Sequence, residues 1–234
     1  MSNLLAERNV EPIRRRLYLP SYNTKDVARY AGTTPQTVAS WFFRGGRLGP
    51  ALPTKRRPGQ PLSYLELIEA AFVAFFRNMG VSLHRLRKAR GYVAQTFGFE
   101  YPFAEYKFMT EGIHVLMDYA WFEQEAEFKE LIVADAGGQL GWSHMLSEKF
   151  AEFDYEDVGR LQLAMRWHPA SRQSPVIIDP RIAFGAPTVK GLPTWVVKGR
   201  WDAGESLEDI VKDFDVQEKD VRHALDFEGI ALAA

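Results

Sequence analysis

TKDVARYAGTTPQTVASW, Thr24 to Trp41, is the stretch whose spacing sets the reading of the chain. Ala28, Gly32 and Val38 stand at the intervals of a helix-turn-helix. A small residue sits where two helices cross, a glycine can take positive φ in the turn, and apolar Val27, Val38 and Trp41 close the angle. Thr34 is placed to cap the second helix. Pro35 follows at the first helical position, where a missing N–H removes no intrahelical bond. A helix that enters the major groove reads bases with its N-terminal side chains and holds phosphates with its flanks. On that spacing Gln36, Thr37 and Ser40 are the expected base readers, with Arg44 on the flank.

The next stretch, RGGRLGPALPTKRRPGQP (Arg44 to Pro61), carries five cationic side chains, eight glycines or prolines and no acid. Such a composition suits an extended wing along a phosphate backbone or in a minor groove, with Arg47, Lys55, Arg56 and Arg57 as the contacts. The triplet Arg14, Arg15, Arg16 reads either as a further minor-groove arm or as a basic tail. Beyond the wing, the pattern predicts two helices parted at Gly80. Leu65, Ile68, Phe72, Phe75, Phe76 and Met79 point inward on the first. Ser82 caps the second, which carries Leu83, Leu86, Tyr92 and Val93 inward. The segments TKDVARYAG, TVASWF, the wing, PLSYLEL and FFRNMGVSLHRLRKA together resemble the MerR-type DNA-binding domain. The resemblance implies a winged helix-turn-helix over residues 1–98, sequence-specific binding of double-stranded operator DNA, and a homodimer.

Charge is divided along the chain. Residues 1–98 carry 16 Lys/Arg against 5 Asp/Glu, and residues 99–234 carry 13 against 25, so a net charge of −1 conceals a basic and an acidic part. The basic part attracts a polyanion; the acidic part is repelled from one and is expected to meet protein. At 234 residues and 46% apolar, the chain is long enough for two compact domains. The absence of cysteine excludes disulfides, thiol nucleophiles and thiolate metal sites. The first residues lack an apolar targeting core, and the longest apolar run, Ala70 to Phe76, is too short to span a membrane. A soluble cytoplasmic protein with no membrane partner is expected.

Residues 99–167 read as a small α+β segment. Glu111-Gly112 and Val158-Gly159 are hairpin signals, and helical stretches between them break at Gly137-Gly138. His84, His114, His144, His168 and His223 lie at least 24 residues apart and form no metal-binding pair. Glu123, Glu125, Glu127 and Glu130 read as a solvated helix face. Neither an enzyme nor a cofactor or metal is expected. Tyr101, Phe103, Tyr106, Phe108, Tyr119, Trp121 and Phe122 suit a small core, or a ligand pocket that would make the chain a one-component transcriptional regulator.

Residues 168–176 read as a linker and 177–234 as an acidic, three-helix unit of helix-turn-helix type. Turns fall at Asp179-Pro180 and Lys190-Gly191. Helices follow over Trp195 to Ala203, after Ser206 with Leu207, Ile210 and Val211 inward, and after Val216 with Val221, Ala224, Leu225 and Phe227 inward, leaving Glu218, Asp220 and Asp226 exposed. Nine acids against three Lys/Arg between Glu205 and Glu228 argue against a DNA groove. IIDPRIAFGAPTVKGLPTWVV, DAGESLEDIV and VQEKDVRHALDF closely resemble a small domain-of-unknown-function family found alone or at the C-terminus of VapB-like antitoxins. The whole layout is similar to long VapB-type antitoxins encoded beside PIN-domain ribonucleases. That likeness implies a type II antitoxin that binds and inhibits such a toxin and represses its own operon. The expected fold class is mainly α with small β content: winged helix-turn-helix, α+β middle segment, and acidic three-helix domain.

Overall fold

The computed structural model describes residues 12–44, 49–105 and 147–232. They form a mainly helical protein with two small antiparallel sheets, in the class expected. Two compact units emerge. The first holds the described residues up to Ala151 together with Tyr155–Ala164, and the second holds Glu152–Asp154 and the described residues from Met165 onward.

In the first unit, α1 (12–18) anchors itself through fully buried Leu17. Arg14, Arg15 and Arg16 are exposed on this helix, so the basic triplet is neither an extended arm nor a tail. Asn23 starts α2 (Thr24–Tyr30) by accepting from the amides of Lys25 and Asp26 at 2.9 and 3.0 Å, while Asp26 accepts from the Asn23 amide. The turn that follows needs Gly32 at φ 67°. Thr34 caps α3 (Pro35–Phe43) through the Thr37 amide, with Pro35 at its start. Val27, Ala28, Val38, Trp41 and Phe42 are buried, as the spacing requires.

Ser63 caps α4 (Tyr64–Asn78), and Ser82 caps α5 (Leu83–Phe97), with Gly80 between them. Helix α4 is buried on every side from Tyr64 to Ala74, which makes it the central element rather than one with a single apolar face. Phe72 and Phe76 meet Phe103 from a short 3-10 turn, Pro102–Ala104, at centroid distances of 6.4 Å. Phe72 also meets Phe150, in helical residues 147–151 (α6), at 5.4 Å. On α5 the inward face is Leu86, Ala89 and Val93, and Tyr92 is 45% exposed, not inward. It follows Leu86 by six residues, which turns it off the stripe made by intervals of three, four and seven.

Strands β1 (Phe153–Val158) and β2 (Leu161–Trp167) pair around Gly159, where a hairpin was expected. The base of this hairpin belongs to the second unit. There Trp167 stacks on Phe153 at 5.8 Å and bridges Ile178. Residues 168–176, expected to be a linker, are fastened instead: His168 contacts Asp154 at 3.3 Å, and Arg172 reaches both Asp154 and His168. The short strands β3 (Val176–Ile177), β4 (Thr188–Val189) and β5 (Leu192–Pro193) form an antiparallel sheet in register Val176↔Val189 and Val189↔Leu192. Lys190 and Gly191, both at positive φ, close the β4–β5 hairpin. Helices α7 (Thr194–Asp202), α8 (Leu207–Phe214) and α9 (Glu218–Phe227) enclose Val176, Val189, Val197, Ile210, Val221, Ala224 and Leu225. Asp220, expected on the exposed face of the last helix, is buried. It returns to the Gln217 amide as a helix cap and pairs with Lys190 at 2.8 Å.

Candidate nucleic-acid interface

The helix pair α2–α3 presents a short surface to solvent. Gln36 is exposed on the first turn of α3, and Arg44 is exposed at its end. Thr37 is half-buried, its hydroxyl 2.9 Å from that of Thr34. Ser40 is also half-buried, and its hydroxyl donates to the Thr37 carbonyl at 2.7 Å, which turns it toward its own helix. Arg47 lies outside the described residues.

The loop after α3 is pinned rather than extended. Ala51 and Leu52 are buried, and the Leu52 amide donates to the Trp41 carbonyl at 2.9 Å, which brings the loop back against the end of α3. At its other end Leu62 makes a lone antiparallel bridge with Tyr22. No ladder of strands forms among the described residues of the expected wing, whose four prolines supply no N–H to one.

Within this loop the three cations differ. Arg57 is exposed, with its amide bonded to the Gln60 side chain. Lys55 is 91% exposed and pairs with Glu100 at 2.9 Å. Arg56 points inward: its Nε donates to Glu66 at 2.7 Å and its Nη2 to the Tyr18 carbonyl at 2.8 Å. Glu66 is 2% exposed and also accepts from the Thr54 hydroxyl and from the Ser63 amide. Burial pushes the Glu66 carboxyl up, but these hydrogen bonds outweigh it and hold the group below the ordinary carboxylate range. One turn along α4, buried Glu69 accepts from Arg90 and from the Phe103 amide; burial raises its carboxyl against the pull of Arg90. Arg90 also donates to the Glu100 carbonyl at 2.8 Å.

This carboxylate pair was missed in the apolar pattern of α4. Its one legible sign is Ser63-x-x-Glu66, a capping-box spacing. Of the proposed pocket aromatics, Phe103 is buried in the core, and burial with nearby Glu66 and Glu100 raises the half-buried Tyr101 phenol. Tyr106, Phe108, Tyr119, Trp121 and Phe122 lie outside the described residues, as does the Glu111-Gly112 signal. Among the described residues no helix is long and apolar enough to cross a membrane, and no group of three His, Asp or Glu is placed to hold a metal ion.

The second unit presents two exposed aromatics, Phe184 at 87% and Trp195 at 62%. Phe184 sits in a 3-10 turn, Ala183–Gly185, whose three residues all have positive φ. Hydrogen bonds on Asp179 fix the chain just before the turn. Arg181 brings its amide, Nε and Nη2 onto Asp179 at 2.7 to 2.9 Å, and the Ile182 amide donates to the Asp179 carbonyl.

Residues 176–227 match a family described as protein of unknown function, DUF433. The match begins at β3 and ends with α9, so the matched segment covers the small sheet and the three helices that follow it. Over nearly its whole length the chain is similar to a Mycobacterium tuberculosis protein named "Putative antitoxin VapB45", at 24% identity over 229 residues, covering 90% of this chain and 95% of the relative. Among solved structures it resembles the crystal structure of Rv2018 from Mycobacterium tuberculosis, with a TM-score of 0.69 at 22% identity, covering 89% of this chain and 98% of that one. The likeness to Rv2018 extends through both units and establishes a shared fold.

Proposed function

We propose that this protein is the antitoxin of a type II toxin–antitoxin system, which binds and inhibits a PIN-domain ribonuclease and represses its own operon as a homodimer on double-stranded DNA. The similarity to an antitoxin across 90% of the chain carries the reading. The basic first part supports the DNA half of it: α3 offers Gln36 and Arg44 at the surface, and the loop offers Lys55 and Arg57. Half-buried Thr37 contributes beside Gln36, Ser40 only after its hydroxyl leaves the Thr37 carbonyl, and Arg47 as a wing cation. Arg56 leaves the list of phosphate contacts, because its guanidinium is committed to Glu66 and Tyr18.

The acidic DUF433 segment is assigned to the toxin. Its charge disfavours phosphate, and it holds Phe184 and Trp195 out to solvent, where rigid aromatic anchors dominate protein contacts. The protein acts without catalysis or cofactor and works in the cytoplasm. Co-expression with an adjacent ribonuclease reading frame tests the assignment. The expected result is a co-purifying complex in which RNA cleavage is suppressed. A neighbouring ribonuclease that forms no complex at micromolar concentration sinks the antitoxin reading.

A further inference from the structure

Glu66 is a buried carboxylate under a surface proposed to bind a polyanion, and Thr54, Arg56 and Ser63, which bond it, come from the loop that carries the exposed cations or from the start of the helix behind it. Thr54 Oγ1 donates to one oxygen; Arg56 Nε and the Ser63 amide donate to the other, both at 2.7 Å. Thr54 Oγ1 in turn accepts from the Arg56 amide at 3.1 Å, and Arg56 Nη2 reaches back to the Tyr18 carbonyl at the end of α1. Among its described residues the loop contains no strand ladder of its own, and these bonds, the Leu52–Trp41 contact and the Leu62–Tyr22 bridge hold its course. Lys55 and Arg57 flank Arg56 and are exposed while Arg56 is turned in.

We infer that Glu66 and Arg56 are positioning residues for DNA binding: the pair clamps the 54–57 loop so that Lys55 and Arg57 face the phosphate backbone, and Arg56 itself touches no phosphate. The inference rests on the DNA-binding reading and adds a role to two residues which that reading leaves unassigned. A fixed loop presents its cations without the cost of ordering them on contact. It also inverts the ordinary electrostatic expectation. Removing a carboxylate near a DNA-binding surface strengthens binding by charge alone. Removing this one releases the loop and weakens it.

Full-length Glu66→Gln, Arg56→Met and Thr54→Val are compared with wild type by titration of duplex DNA across a salt series, after circular dichroism and thermal melting establish folding. The expected result is weaker binding by Glu66→Gln, about ten-fold, despite a net charge one unit more positive, with a similar loss for Arg56→Met and no further loss in the double variant. Thr54→Val leaves both charges in place and guards against a misfolded Glu66 variant; it is expected to weaken binding in the same direction. Tryptic cleavage after Lys55 and Arg56 reports the loop without DNA, and is expected to accelerate in Glu66→Gln relative to wild type. A folded Glu66→Gln that binds DNA as tightly as wild type, or tighter, overturns the clamp. So does a fall in the salt slope of about 0.9 for Arg56→Met with no change for Glu66→Gln, the mark of a direct phosphate contact. Wild-type protein that binds no duplex at low salt overturns the DNA-binding reading itself, and the clamp with it.

Discussion

At Asp220 one carboxylate performs two tasks. It closes the start of α9 on the Gln217 amide and receives Lys190 from the β4–β5 turn at 2.8 Å, although it is itself buried. Burial pushes its carboxyl up, but the Lys190 ion pair and the Gln217 amide outweigh burial and hold it below its ordinary value. Asp179, through Arg181, and Asp154, through Arg172, are lowered in the same way. The unfolded chain then binds more protons than the folded one in acid. The stabilisation is complete above the unfolded value, near pH 4, and is lost as pH falls through the lowered folded values. Denaturant midpoints followed by tryptophan fluorescence are expected to drop below about pH 4, and Asp220→Asn to flatten that decline while lowering stability at neutral pH. Identical acid limbs in the two proteins would contradict the assignment. In the first unit, Arg90→Met leaves Glu69 buried with the Phe103 amide as its remaining named donor, and urea unfolding is expected to show a loss of about 3 to 5 kcal/mol. None of these pairings could be read from sequence, since Asp220 and Glu69 occupy helical positions where exposed and buried acids look alike.

Among the elements, α3 was the most legible, because its cap, first proline and inward residues obey local rules. Thr34→Ala removes the acceptor for the Thr37 amide and is expected to cost about 1 kcal/mol of stability and to weaken DNA binding through fraying of the reading turn. The 183–185 turn is the opposite case. Ala183 at φ 45° and Phe184 at φ 55° occupy the left-handed region, which costs a non-glycine residue about 1 to 2 kcal/mol. Phe184 gains almost no burial in return. Phe184→Gly is therefore expected to raise the unfolding free energy by up to about 1 kcal/mol, offset in part by glycine entropy, while reducing recovery of the ribonuclease in the co-purification assay. A variant that is more stable yet retains the ribonuclease in full would take Phe184 out of the interface. The sequence shows an Ala-Phe-Gly run there, but not the turn it adopts, which is closed by the Gly185 and Ala186 amides on the Ile182 and Ala183 carbonyls and preceded by the Asp179 network.

For the molecule as a whole, the charge division gives a prediction about salt. Exposed Arg57 makes a phosphate contact in the proposed complex, so Arg57→Ala is expected to weaken binding to every duplex alike and to reduce the slope of log affinity against log salt by about 0.9. Gln36→Ala is expected to change preference among duplexes with the slope retained. An unaltered slope in Arg57→Ala would place the phosphate track elsewhere. The packing also redraws the chain's division: the second unit takes in the base of the β1–β2 hairpin and residues 168–176, whose two prolines and two serines read as a linker. Composition reports where the chain is polar and turn-prone. It carries no sign that Asp154, Arg172 and His168 will meet.

By itself the sequence determined the class, the helix caps at Thr34, Ser82 and Ser206, the turns at Gly32, Gly159 and Gly191, and the end of the chain that carries the positive charge. Caps, apolar intervals and positive-φ glycines act over a few residues, and net charge adds up without regard to fold. The tertiary structure alone decided which charges remain available. Five cations between Arg44 and Pro61 look equivalent in sequence, yet Arg56 is drawn inward by a carboxylate ten residues away, whereas Arg57 stays in water. A buried carboxylate requires a partner, and which cation supplies it depends on where the loop is brought back against α4.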